Sequence, residues 1–338
     1  MATRFNGSGV LLGAMACLAA LAALAGEPRL NDLQLLGSHN SYKLAMPPDR
    51  FAALRASDPR LAESLEYWHR PLAEQLSLGL RKLELDVFYD PDGDLFDRAG
   101  AGKSNFPVLH VQNLDDSSSC ENLIDCLGQV RRWSTAHPRH VPIFISINAK
   151  DQKIDRPGYL TPLTFDEAAW RALDGEIRAV LGDALLTPKD VVTAGGPAWP
   201  TLTDVRGRFV MILDESGSKR ASYAASWRTR AMFGNHPEGH PGAAIMIIND
   251  PIADFARIQR LVQDGFIVRT RADADTREAR SGDTARRERA FASGAQLIST
   301  DYYVAATHFG TDYVVALPEG AAARCNPVRG LEACVVTE

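Results

Sequence analysis

The chain has 338 residues, a formal net charge of −5 and 45% hydrophobic residues. A mildly acidic protein is repelled by a phosphate backbone, so nucleic acid is not an expected partner. The length exceeds an ordinary domain and suits an α/β barrel, and no stretch beyond the N-terminal segment is apolar enough to span a bilayer.

Residues 1–25 read as an export signal. Arg4 supplies the positive start, residues 10–25 are apolar and small, and Ala23-Leu24-Ala25 before Gly26 fits an A-x-A cleavage site. Ala14-Met15-Ala16-Cys17 is a poor lipobox, so a lipid anchor is not expected. Residues 26–338 then form one domain, expected to be secreted or periplasmic. An oxidising compartment predicts disulfides within the two close cysteine pairs, Cys120–Cys126 and Cys325–Cys334. Neither pair has C-x-x-C spacing, which disfavours zinc.

Eight short apolar runs follow, at residues 33–36, 82–88, 108–111, 142–147, 208–213, 243–248, 265–270 and 296–299. Helical patterns lie between several of them, at 71–78 (opened by Pro71), 121–136, 165–181 (with Thr164 or Asp166 as cap), 254–264 and 284–293. Strands alternating with helices predict a parallel sheet, and eight units predict a TIM-type (β/α)8 barrel. Inserted loops make it irregular: 43–70 with helical pieces, 89–106, and 214–241, a rim holding Trp227, Phe233, His236 and His240. The Gly- and Asp-rich loop lacks the closing Glu of an EF-hand and reads as a surface hairpin. The tail after the last strand is expected to be stapled by Cys325–Cys334.

Function in such a barrel gathers where the strands end. The runs end at or carry His39-Asn40, Glu84 and Asp86, His110, Asn148 and Lys150, Asp214-Glu215, Asn249-Asp250, Arg269 and Arg271, and Asp301-Tyr302. Strand alternation puts Glu84 and Asp86 on one face, inside the barrel. Two buried carboxylates are costly unless a cation joins them. Hard oxygen ligands suit Ca²⁺ or Mg²⁺. The alternative is direct pairing with Lys150 or Arg269 and no metal. His39 and His110 fit general acid–base catalysis, and Lys150, Arg269 and Arg271 could hold an anionic phosphate. The set suits cleavage of a phosphodiester. No G-x-S-x-G, Walker A or H-E-x-x-H motif is present.

The segments "LLGSHNSY", "LELDVFYDP", "VLH", "FISINAKD", "RTRAD" and "GAQLISTDYY" resemble the calcium-dependent phosphatidylinositol-specific phospholipase C-like family, within the PLC-like phosphodiesterases, over about residues 31–303. The resemblance implies a TIM-type barrel that cleaves phosphatidylinositol-type lipids to diacylglycerol and a cyclic inositol phosphate. It implies His39 as general base, His110 as general acid, and Asn40, Glu84 and Asp86 as calcium ligands. Asn148 stands where relatives usually carry an acidic fourth ligand, which lowers the expected affinity for calcium. Lys150 matches a phosphate contact, and Arg271 and Tyr302 are the candidates for the head group. Such a substrate implies transient, peripheral membrane contact, with Tyr67, Trp68, Trp227 and Phe233 as candidate anchors, against the favoured alternative that each packs in the core or rim, and a monomer is expected. A glycerophosphodiester phosphodiesterase shares the barrel and the E-x-D pair but usually has His-Arg where this chain has His39-Asn40. A barrel that binds lipid head groups without turnover is the non-enzymatic alternative.

Overall fold

Strand β1 (Leu33–Ser38) is buried along its whole length and hydrogen-bonds in parallel to β2 (Lys82–Val87) on one side and β11 (Leu297–Thr300) on the other. The computed structural model describes residues 27–96, 104–330 and 336–338. Gly37 sits where β1 meets β2. A Cβ there would overlap the Cβ and carbonyl of Lys82, so only glycine allows this approach.

The parallel path then runs from β2 to β3 (Ile143–Ala149), β7 (Phe209–Leu213) and β4 (Leu185–Leu186). In the other direction it runs from β11 to β10 (Ile267–Arg271) and β9 (Ile245–Ile247). β8 (Phe233–Gly234) extends the β7 edge: β4 pairs with the first half of β7 and β8 with the second. Between β8 and β9 no ladder forms among the described residues. The Asn235 amide oxygen accepts from Ile247 N at 3.1 Å instead. The result is a TIM-type barrel left open at one seam. A small hairpin, β5 (Val192–Thr193) with β6 (Gly196–Pro197), lies outside it. β12 (Ala323–Cys325) returns antiparallel to β1.

Seven of the eight expected runs lie on barrel strands. Residues 108–111 do not. Val108 makes one antiparallel bridge to Val87, and Val111 bridges Asp115 in a tight turn. A four-residue apolar run carries no information about which backbone it will pair with, and here its hydrogen bonds are spent within a loop. β4 and β8, two residues each, were too short to register as periodic.

Along β2 the alternation holds. Leu83, Leu85 and Val87 enter an outer core with Ile143, Ile145 and Ile147 of β3 and with Leu127, Val130, Trp170 and Leu173 from the covering helices. Those helices, Leu123–Ala136 and Glu167–Leu181, begin where a side chain takes up an otherwise unbonded N–H: Asn122 accepts from Asp125 N, and Asp166 from Ala169 N. Cys120–Cys126 is bonded and packs in the same core. Cys334, half of the other expected disulfide, lies outside the described residues, as does the export segment. The insertion carries helices Pro48–Ser57 and Pro59–Leu65 before the expected Leu72–Ser77. Of the candidate membrane anchors, Tyr67 and Phe233 are buried and Trp227 is half-buried, since each packs on neighbouring rings or strands; Trp68 is 46% exposed.

Candidate active site

Two histidines stand at the ends of buried structure, each backed by a carboxylate. His39 follows β1, and its Nδ1 lies 3.0 Å from the Oδ1 of Asp301, which follows the adjacent strand β11. His110 lies on the loop bridged to β2, and its Nδ1 is 2.8 Å from Asp115 Oδ2. Each imidazole side chain is 19% exposed, while the carboxylates are 1% and 0% exposed. A carboxylate at Nδ1 selects the Nδ1–H tautomer and turns Nε2 toward chemistry. Burial, and then the Arg271 guanidinium, lower the pKa of His39, against the opposite pull of Asp301 and Glu84. Burial pushes the Asp301 carboxyl up, but His39, His69 and Arg271 outweigh it and hold it well below the usual carboxylate range.

Glu84 and Asp86 point into the barrel, as their alternation requires, and both are buried. Glu84 Oε2 accepts from Lys82 Nζ at 2.5 Å and from an Arg269 terminal nitrogen at 2.8 Å, and Oε1 lies 3.7 Å from His39 Nε2. Burial raises the Glu84 carboxyl, and Lys82 and Arg269 more than reverse this, keeping it ionised. Burial also brings the Lys82 ammonium down to about 8 in spite of Glu84. Lys150 Nζ pairs with Asp86 Oδ2 at 2.9 Å, yet neither oxygen of this buried carboxylate accepts a hydrogen bond. The direct pairing with Lys150 and Arg269, weighed above as the metal-free alternative, is therefore present, with Lys82 added.

The donors still suit a hard divalent cation on the Asp86 side. Asp86 offers a buried carboxylate whose Oδ1 accepts no hydrogen bond and whose Oδ2 faces Lys150. Asn148 is its register partner on β3. The Asn40 amide nitrogen is committed to Tyr67 Oη at 2.8 Å, which leaves the amide oxygen as its ligand atom. All are oxygen ligands, the type that calcium and magnesium take. Three cationic side chains already face the two carboxylates, so a bound cation competes with them for the same negative charge.

Arg271 donates to Asp301 Oδ2 at 3.0 Å and lies 3.4 Å from His39 Nε2, within reach of a group held there. Arg269 is buried deeper and committed to Glu84, Ser299 and Asn249. Tyr302 is buried with its hydroxyl unpartnered. It lines a cavity of about 300 Å³ together with Tyr67, Trp68, Arg70, Tyr303 and His308. Lys219 bonds the Ala149 carbonyl, Asp151 and Glu215, bracing the end of β3 beside Lys150.

Four residues went unnoticed in sequence. Lys82 shares a strand face with Glu84 and Asp86, so the alternation that paired those two already included it. Asp115 stands five residues from His110, a spacing that a turn search would have raised. Lys43, buried at 3.3 Å from Asp115 Oδ1, and His69, against His39, come from the insertion and left no local signal. Asp301 was noted as a strand-end acid without a role.

The sequence model of the family described as "Phosphoinositide phospholipase C, Ca2+-dependent" matches residues 28–327. No curated protein sequence matches the chain. Among solved structures, a calcium-dependent phosphoinositol-specific phospholipase C from a Pseudomonas species matches with a TM-score of 0.56 at 18% identity, over 90% of this chain and 97% of that one. A Ca²⁺-dependent phosphatidylinositol-specific phospholipase C from Streptomyces antibioticus matches with a TM-score of 0.52 at 18% identity, over 81% of this chain and 95% of that one. At such identity the structural likeness is one of fold.

Proposed function

The chain belongs to the family of Ca²⁺-dependent phosphoinositide phospholipases C, and from that premise we propose that it cleaves phosphatidylinositol-type lipids with His39 as base and His110 as acid. The observation that carries the reading is the pair of partly buried imidazoles, each with its Nδ1 on a buried carboxylate. Neutral His39 takes the proton of the inositol 2-hydroxyl at Nε2. The freed oxygen attacks the neighbouring phosphorus, closing a cyclic phosphodiester. The bond from phosphorus to the diacylglycerol oxygen breaks, and protonated His110 gives that oxygen its Nε2 proton. Asp301 stabilises the imidazolium that forms on His39. Arg271, beside His39 Nε2, and Lys150 oppose the growing negative charge on the phosphoryl oxygens.

Asn40, Glu84, Asp86 and Asn148 would hold the calcium ion, which when bound supplies positive charge to the phosphate and acidifies the attacking hydroxyl. Docking to a lipid surface is part of the proposal. Trp68, Leu160, Leu163, Ile252 and Val304 are each at least 40% exposed, and all lie in connections that follow strand ends, on the side of His39 and Asp301. Export through residues 1–25 would bring the enzyme to such a surface outside the cytoplasm.

Phosphorus NMR on phosphatidylinositol in mixed micelles tests the reading, with Ca²⁺, with EDTA, and with His39→Ala. The expected result is a cyclic inositol phosphate resonance that needs Ca²⁺ and is lost in the variant. If no phosphate resonance moves, the assignment falls, and glycerophosphodiesters become the next substrates to try.

A further inference from the structure

The residues beside His39 include a second imidazole that the chemistry above does not use. His69 belongs to the insertion between β1 and β2, and its side chain is fully buried. Its Nε2 is 2.6 Å from the carbonyl oxygen of His39 and 3.7 Å from Asp301 Oδ1. A nitrogen at hydrogen-bond distance from a carbonyl must donate, so Nε2 carries the proton. Nδ1 is buried and has no partner. Nε2 is thus the ring nitrogen that donates to the His39 carbonyl.

The held peptide is an unusual one. Asn40, next to His39, has φ +46°, in the left-handed region that few residues other than glycine occupy. Such a conformation persists only when its surroundings fix it. His69 fixes the carbonyl on the His39 side, and Lys43 N donates to the Asn40 carbonyl at 2.9 Å. The clamp is itself rigid. His69 N donates to Lys43 O at 2.9 Å, Lys43 Nζ to Tyr67 O at 2.6 Å, and the His69 ring stacks on Tyr303 at 5.5 Å between centroids.

We propose that His69 is a positioning residue: its Nε2–H holds the His39–Asn40 peptide, which aims the His39 ring at the hydroxyl it deprotonates and keeps the Asn40 amide facing the cation site. This rests on His39 being the base. Small displacements of a reacting group can cost about 100-fold in rate, and loss of a supporting hydrogen bond about 10- to 100-fold.

The test compares His69→Phe, which keeps a ring on Tyr303 but loses the donor, with His69→Gln, whose amide nitrogen reaches the position of Nε2. On phosphatidylinositol micelles with saturating Ca²⁺, His69→Phe should lower kcat by about 10- to 100-fold with KM within about twofold, and His69→Gln should restore most of the loss. Melting temperatures of both should stay close to wild type. Equal kcat in His69→Phe and wild type, or equal loss in both variants, would overturn the inference. Nitrogen-15 NMR gives a readout independent of turnover. His69 should appear as the Nε2–H tautomer, and the Asn40 amide resonance should move in His69→Phe and return in His69→Gln. A His69 protonated on Nδ1, or an unmoved Asn40 amide, sinks the proposal even if the lipid is cleaved. An inactive wild type with the expected spectra would instead sink the catalytic reading and leave the clamp standing.

Discussion

His110 reaches its carboxylate five residues further along its own loop, whereas His39 reaches Asp301 across 262 residues, from one strand end to the next. The first pair is made by a turn. Val111 N and Asp115 N exchange bonds with each other's carbonyls, and the fold covers Asp115 and brings Lys43 to its other oxygen. The second pair exists only if β1 and β11 lie side by side in register. It also gathers partners that the first lacks: Arg271 on the other Asp301 oxygen and His69 behind the His39 carbonyl. A local pair is set by its own turn. A pair across the barrel depends on the β1–β11 ladder, so in the proposed reaction its members would answer to stability as well as to chemistry.

The sharpest way to break this comparison is to remove each imidazole. His39→Ala and His110→Ala should each lower turnover of phosphatidylinositol by about 10²- to 10⁴-fold. They should differ on an inositol phosphodiester with an aryl leaving group, which departs without a proton. His110→Ala should regain most of its rate there and His39→Ala none. Equal rescue of both would mean that the acid and base roles are not divided as proposed.

Removing the carboxylates separates the pairs by stability. Asp301→Ala leaves Arg271 the Asp273 carbonyl but removes its carboxylate partner, and a guanidinium cannot shed its proton, so urea denaturation should report a loss of about 3–5 kcal/mol. Asp115→Ala leaves Lys43 its two carbonyl acceptors, from Leu65 and Tyr67, and an ammonium can deprotonate, so the loss should be about 1–3 kcal/mol. The reverse order would show that the loop pair, and not the strand pair, is the one tied to the fold.

The cation site sharpens the comparison further, since it adjoins the His39 side. Three cationic side chains around two carboxylates predict half-saturation by Ca²⁺ in the range of about 10⁻⁴–10⁻³ M, as for other weak oxygen sites. Lys150→Gln frees Asp86, and Asn148→Asp adds a charge; each should tighten calcium, by about tenfold, in a calorimetric titration. Tightening in neither would argue that Asp86 does not face the ion.

The smallest effect is on pH. Burial, and then Arg271, depress His39 below the ordinary 6.5. A depressed imidazole is neutral in both folded and unfolded chains above 6.5, so its contribution is intact there. As pH falls, the unfolded chain takes up the proton first, and stability is lost until the folded value is passed. His236 acts with the same sign, held to about 4 by burial and then by His240. The urea midpoint should fall between pH 6.5 and 4, and the acid limb of kcat/KM should lie below 6.5. A midpoint that stays level through this range would contradict the neutral, buried state of these rings.

The placement of several candidate-site residues was legible because the signal was local. Glu84 and Asp86 alternate on one strand, and that alternation survives in the barrel. His39-Asn40 interrupts an apolar run at a strand end, where polar residues need a reason. Residues 108–111 show the limit: an apolar run of strand length became a loop, making one antiparallel bridge from Val108 to Val87 of β2, because four apolar residues do not specify which backbone they pair with. Lys82 was within reach of the same face argument, but a basic residue at the start of a strand reads first as solvent-facing.

Residue order alone determined the alternating plan, the strand-end chemistry and the facing carboxylates, because periodicity needs only neighbours along the chain. Tertiary structure alone decided that Asp301 and not another acid backs His39, that the barrel stays open between β8 and β9, and that an insertion lends His69, Tyr67 and Lys43 to the site. Those outcomes depend on which strand-end side chains come within 3.0 to 3.7 Å of each other, and separations of up to 262 residues are closed by ladder register and burial, neither of which is written in any local stretch.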